Sequence, residues 1–271
     1  MTSVVYTFAL ISVIASAVAA LPAENYLNIA SGKNCSKSSF LSSRIIDGRV
    51  APNGSFPYMA SLRKKETGKH FCGGSIINDR WILTAAHCIA GQSANKIVVV
   101  VGTNQLTTGG KKYAVSFIMH HEKYNIDGVV NDVGLIKVSE SIKFNKLVLP
   151  IALANSNIDE NDNPATISGW GRFLTTSSLL PNDMQYINTC LMDKKSCMSE
   201  VPMDNSYQKI CTFTRFGQGA CNGDSGSPLV ADGVQIGIAS YVIYRCASGF
   251  PDVYTKVYSY SGWIKSTINT H

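Results

Sequence analysis

Residues 220–228 read ACNGDSGSP, and the way this stretch is understood decides the fold. One of its two serines, Ser225, follows Gly223 and Asp224 and is followed by Gly226. A serine hydroxyl alone is a poor nucleophile. One reading is a tight turn whose glycines supply positive φ at no steric cost. The other is a turn that presents an activated hydroxyl while its backbone N–H groups gather a developing oxyanion. The nine residues leave both open, and the choice lies elsewhere in the chain.

Around this turn the sequence is a series of short, β-rich runs. FPYMASL, FCGGSII, WILTA, KIVVVVG, KYAVSFIMH, DVGLIKV, ATISGWG, SPLV and VQIGIASYV are separated by clusters of Gly, Asn, Asp and Ser. Such spacing predicts a barrel or sandwich. Only the end, YSYSGWIKSTI at 258–268, suggests a helix, with Tyr258, Ser261, Trp263, Ile264 and Ile268 near one face and Gly262 weakening it.

Acyl transfer by a serine needs a general base, and an acceptor that keeps the base in the right tautomer. WILTAAHC offers His87 just after an apolar strand, and NDVGLIKV offers Asp132 at the mouth of another. Each alone is weak, because a lone histidine is usually structural and Asn-Asp before a strand is usually a turn. In the order His87, Asp132, Ser225, with RIIDG, CGGSII, TAAHC, SGWG, CNGDSGSP and PDVYTKV around them, the chain resembles the chymotrypsin-like (trypsin-fold) serine peptidase family from Arg44 to Ile268.

The resemblance implies an all-β fold of two six-stranded antiparallel β-barrels with a C-terminal α-helix. The barrels would cover about 45–152 and 153–258, the helix about 259–269, with the cleft between the barrels. It implies Ser225 as nucleophile, His87 as base and then acid, Asp132 as the orienting carboxylate, and the N–H groups of Gly223 and Ser225 as oxyanion hole. Ser227 stands where the family usually has glycine, a departure expected to be tolerated. Activation would follow cleavage after Arg44, freeing an amino group at Ile45 to fold onto Asp224. Three disulfides match family positions: Cys72 with Cys88, Cys197 with Cys211, and Cys221 with Cys246. That leaves Cys35 and Cys190, a possible pair that would tether the cleaved pro-segment.

The pocket positions carried over from the family are Gly219 at the base, then Ser240, Val242 and Asp252. Gly219 lacks the carboxylate that trypsin-like members use to take Arg or Lys. Val242 resembles the bulky wall of elastases, and Asp252 resembles an arrangement in collagenolytic crab and insect relatives. Cleavage after small or medium apolar residues is expected, with Asp252 screened behind Val242.

The remaining features set the compartment. Residues 1–20 carry no charged side chain and end in small residues, as a secretory signal peptide does, leaving 21–44 as an activation pro-segment and 45–271 as the peptidase domain. Export fits eight cysteines and the sequons at Asn34 and Asn53, possible glycosylation sites. A formal charge of +6 is spread over small groups such as RKK at 63–65, which argues against nucleic acid as partner. No later segment is apolar for long enough to span a bilayer. No cofactor or metal is expected: Cys88 to His121 holds no acidic residue, and adjacent residues of HHEKY at 120–124 would point to opposite faces of a strand. The expected partners are protein substrates and protein protease inhibitors, for a secreted monomer. With no separate regulatory domain preceding Arg44, a digestive role is expected. The rival function is a silent homologue that only binds, against which the three intact residues argue.

Overall fold

The computed structural model describes residues 48–158, 160–161, 163–172, 179–201 and 208–271. The expected signal peptide and pro-segment, with Asn34, Cys35, Arg44 and Ile45, lie outside the described residues.

The chain enters as β1 (Arg49–Val50) and then builds β2 (Met59–Lys64), β3 (His70–Ile76) and β4 (Trp81–Thr84). A single helical turn, α1 (Ala86–Ile89), leads to β5 (Ile97–Val101), β6 (Lys111–His120) and β7 (Gly134–Val138). Strands β2 to β7 close into a barrel in the order β2-β3-β4-β7-β6-β5. The side-chain pattern explains the closure. In β6, Tyr113 and Val115 point inward while Lys112, Ala114 and Ser116 face water, the period of two that a half-buried strand requires. In β5, the run IVVVV is buried along most of its length. Leu62, Ile76, Leu83, Val99 and Leu135 fill the interior.

A short β8 (Ala152–Leu153) precedes β9 (Pro164–Gly169) and β10 (Gln185–Leu191). Helix α2 (Lys194–Glu200) follows, started by Asp193, whose side chain accepts from the Ser196 N–H as an N-cap. Then come β11 (Lys209–Phe213), β12 (Pro228–Ala231), β13 (Val234–Val242) and β14 (Asp252–Lys256). Because β9 pairs with both β10 and β12, the ring β9-β10-β11-β14-β13-β12 closes as a second six-stranded antiparallel barrel. β1 pairs with β10 and β8 with β13, so both short strands attach to this second barrel.

Helix α3 (Ser261–Thr270) ends the chain. It leaves barrel two yet buries Ile264 in the core of barrel one, and the last residue, His271, stacks on Phe117 of β6 with ring centroids 4.3 Å apart. The three disulfides Cys72–Cys88, Cys197–Cys211 and Cys221–Cys246 are formed. Cys190 is disulfide-bonded as well.

Candidate active site

Strand β4 is buried throughout, and the chain stays extended at Ala85 before turning into α1. That places His87 one residue into the helical turn, with its side chain 25% exposed. Two features hold α1 in place. Cys88 is bonded to Cys72 of β3. Gly134 leaves room for Ile89, since a Cβ there would come within 2.7 Å of the isoleucine Cδ1.

Asp132 is wholly buried just before β7. Its Oδ1 accepts the His87 backbone N–H at 2.9 Å, and its Oδ2 accepts from His87 Nδ1 at 2.8 Å and from the Ser240 hydroxyl at 2.6 Å. Burial alone would raise this carboxyl, but the hydrogen bonds from His87 and Ser240 outweigh it and hold the group below the usual carboxylate value. With Nδ1 donating to Asp132, the proton-free nitrogen of a neutral His87 is Nε2.

At the 220–228 turn the glycines have specific duties. Gly223 has φ +105°, and a Cβ on it would press to 3.1 Å from the Gly171 Cα and 3.2 Å from the Trp170 carbonyl. Gly226, at φ +79°, would collide with Thr84 Oγ1 at 2.2 Å and the Gly73 carbonyl at 2.6 Å. Asp224, Gly226 and Ser227 donate to Cys221, Ala239 and Asp224 carbonyls, whereas the N–H groups of Gly223 and Ser225 carry no hydrogen bond among the described residues. Two unspent donors thus lie at this turn, one of them the N–H of Ser225 itself. The Ser225 carbonyl accepts from the Gly73 N–H at 2.8 Å, which ties this turn of barrel two to β3 of barrel one.

A second tie runs through His70. Its Nε2 lies 3.0 Å from the Gly223 carbonyl and its Nδ1 2.8 Å from the Ser61 hydroxyl, which accepts from Arg63 Nε at 2.9 Å. The carbonyl can only accept, so Nε2 carries the proton and Nδ1 accepts from Ser61. Burial pushes His70 down to about 4, against the opposing pull of the Gly223 carbonyl. Ser227 is buried, and its hydroxyl has no partner among the described residues. It fits because Gly73 has no side chain: a Cβ there would lie 2.1 Å from the Ser227 Oγ.

One pocket gathers His87, Ser225, Ser240, Val242 and Asp252. Gly219 lies behind it, packed against the Asp252 carboxylate, and lines the adjoining pocket around Asp224. No hydrogen bond joins Ser225 to His87 among the described residues.

The family model described as Trypsin matches residues 45–264. The chain belongs to the trypsin family. It is 42% identical to chymotrypsin-2 of Vespa crabro over 82% of this chain and 98% of that protein. It is 38% identical to trypsin beta of Drosophila erecta over 83% of this chain and 88% of the relative. Among solved structures, neuropsin, titled a serine protease expressed in the limbic system of mouse brain, superposes with a TM-score of 0.75 at 30% identity. That match covers 82% of this chain and 99% of neuropsin. As a trypsin-family protein the chain is a serine endopeptidase, a hydrolase of peptide bonds.

Other positions singled out in this trypsin-family chain have ordinary surroundings. His120 Nδ1 meets the His121 carbonyl at 3.0 Å, and His121 packs between Tyr260 and Trp263. Asn53 is exposed in a turn. No helix among the described residues is long and apolar enough to cross a membrane. His70 and Lys209 are not among the residues the motifs point to. His70 gave no signal, because its partner Gly223 is 153 residues away. Lys209 did give one, as a charged residue opening the otherwise apolar run KICTF.

Proposed function

We propose that this protein is a secreted serine endopeptidase, made as a zymogen and working through an acyl-enzyme on Ser225. His87 Nε2 takes the Ser225 proton as Oγ attacks the substrate carbonyl, then gives it to the departing amine. Water attacks the ester by the same route, returning the proton to Oγ. Asp132 fixes the tautomer and stabilises the imidazolium. The N–H groups of Gly223 and Ser225 receive the oxyanion, each such donor being worth about 3 kcal/mol in the transition state. The observation that carries this reading is Asp132, sealed from water with two hydrogen bonds from His87, in a chain whose Ser225 shares the His87 pocket.

Activation by cleavage after Arg44 is part of the proposal. Asp224 accepts N–H groups from Gly171 at 2.7 Å and Cys221 at 3.0 Å, and burial pushes it up to about 6. Gly48, three residues beyond Ile45, lines the same pocket as Asp224. A new α-ammonium there would hold the carboxylate ionised. An α-amino group titrates near pH ~8 and pairing raises it, so the active form persists at neutral pH and fades as pH rises through the raised value. Full activity of an uncleaved Arg44→Gln protein would overturn this part.

In the pocket, Val242 and Asp252 both line the wall, and Asp252 is pushed up to about 8, chiefly by burial, so that it is protonated at neutral pH. Small or medium apolar side chains such as Ala, Val and Leu are therefore the proposed residues before the cleaved bond, with digestion of dietary protein as the role. Protein protease inhibitors are proposed as partners, and the enzyme as a monomer. A fluorophosphonate probe tests the chemistry. The activated enzyme should be labelled and Ser225→Ala should not, while a peptide library dominated by Arg and Lys would refute the pocket reading.

A further inference from the structure

Lys209 is 3% exposed at the start of β11 in barrel two, an unusual place for an ammonium group. Its Nζ donates to the Val129 carbonyl at 2.7 Å, approaches the Ser240 hydroxyl at 3.4 Å and lies 5.3 Å from the centroid of the Tyr241 ring. Val129 belongs to barrel one, three residues before Asp132. The loop it sits in is pinched by paired hydrogen bonds between Asn125 and Val130, at 2.9 and 3.0 Å, and its tip residue Ile126 is exposed. Val129 itself has φ +46°, a costly conformation for a β-branched residue, and Asn131 has φ +54°. Something must hold that loop, and the carbonyl of its strained residue is where Lys209 takes hold.

The same ammonium stands at the end of a short relay. Lys209 faces the Ser240 oxygen, Ser240 donates to Asp132 Oδ2, and His87 Nδ1 donates to that same oxygen. No carboxylate among the described residues forms an ion pair with Lys209.

We propose that Lys209 is a positioning residue for the His87–Asp132 pair, latching the 125–131 loop of barrel one onto barrel two and keeping a cation behind the Ser240–Asp132 hydrogen bond. This rests on the catalytic roles given above to His87, Asp132 and Ser225. Burial lowers Lys209 to about 8, with Asp132 opposing. The titratable groups facing this region are phenols: Tyr241 and Tyr124, whose values burial raises so that they stay neutral where Lys209 titrates, and Tyr260, which donates to Asn131 of the loop and to Gln208 beside Lys209. The cation is present through neutral pH and lost in mild alkali.

The test is the pH profile of kcat and kcat/KM on a small ester substrate for activated wild type, Lys209→Met and Lys209→Gln, normalised to active sites counted by a burst titrant. Met keeps the bulk of the side chain and loses both donor and charge, whereas Gln keeps a donor for Val129. A cation near the imidazole opposes its second proton, so both variants should move the acid limb to higher pH. A displacement of about half a pH unit lowers kcat/KM about threefold on that limb. Met should also lower kcat about tenfold with KM unchanged, and Gln should recover part of that loss. Acid limbs that coincide with wild type in both variants overturn the electrostatic role, and an unchanged kcat in Lys209→Met overturns the latch. If Lys209→Met does not fold, the acid limb of Lys209→Gln decides. Residual labelling of Ser225→Ala would instead count against the catalytic assignment itself.

Discussion

The carboxylate of Asp252 rests against Gly219, where a Cβ would lie 2.7 Å from Oδ2. The same oxygen accepts the Ala220 N–H at 2.7 Å. Burial, helped by the nearby Asp224 and opposed by the Ala220 N–H, raises the group from 3.8 to about 8. A carboxyl raised on folding contributes stability that is full below the unfolded value and is lost as pH rises through the folded one. Asp252→Asn keeps an acceptor for Ala220 and cannot ionise. Its melting temperature should match wild type at pH 4 and exceed it by about 5 °C or more at pH 9. Equal differences at both pH values would mean that Asp252 is ionised in the native protein.

Val242 is paired with Asp252 across β13 and β14 and stands on the pocket wall. Val242→Gly should open the pocket to Phe, Tyr and Trp before the cleaved bond, raising kcat/KM on such substrates by about 1–3 kcal/mol relative to Ala substrates. Competition between paired peptides gives that ratio directly, and an unchanged ratio would show that the wall lies elsewhere.

His70 makes the folded state acid-sensitive. Its value falls from 6.5 to about 4 on burial, so its contribution is complete above pH 6.5 and is lost as pH drops through 4. The loss amounts to about 3 kcal/mol over that window. His70→Ala should abolish this component of the urea midpoint between pH 6.5 and 4. It should also lower kcat about tenfold, because the Gly223 carbonyl loses its donor two residues from Ser225. A variant with wild-type acid sensitivity would assign the effect to another group.

Cys190 is disulfide-bonded, and the six other cysteines among the described residues pair with one another. Cys35 is the eighth cysteine of the sequence. Non-reducing mass spectrometry of the activated enzyme should therefore find the pro-segment still attached, to be released by reductant. Its loss without reductant would rule out the tether.

Much of this fold was legible because barrel one announces itself. WILTA, KIVVVVG and KYAVSFIMH read as strands from their apolar content alone, and each is one. Barrel two was harder. β10 carries Asn188 and Thr189 and is only partly buried in its first half. β14 is buried throughout yet starts with Asp252 and ends with Lys256, whose charge meets Glu160 inside the protein. Charged residues in a five-residue strand conceal it until their partners are seen. At the candidate site, His87, Asp132 and Ser225 stand out because each sits in a motif; the structure hydrogen-bonds the first two and puts the third in the same pocket. His70 and Lys209 act across the seam between barrels on backbone carbonyls, and a backbone carbonyl leaves no mark in a sequence.

The hydrogen bond from the Gly73 N–H to the Ser225 carbonyl has one further consequence. The turn that carries Ser225 is shaped by both halves of the molecule, because a strand of the first barrel holds a turn belonging to the second. Catalysis should then report on the docking of the halves rather than on the integrity of either. A chain nicked in the connection between them would go on working while the seam is shut, and would fall silent once the halves part, before either barrel has begun to unravel.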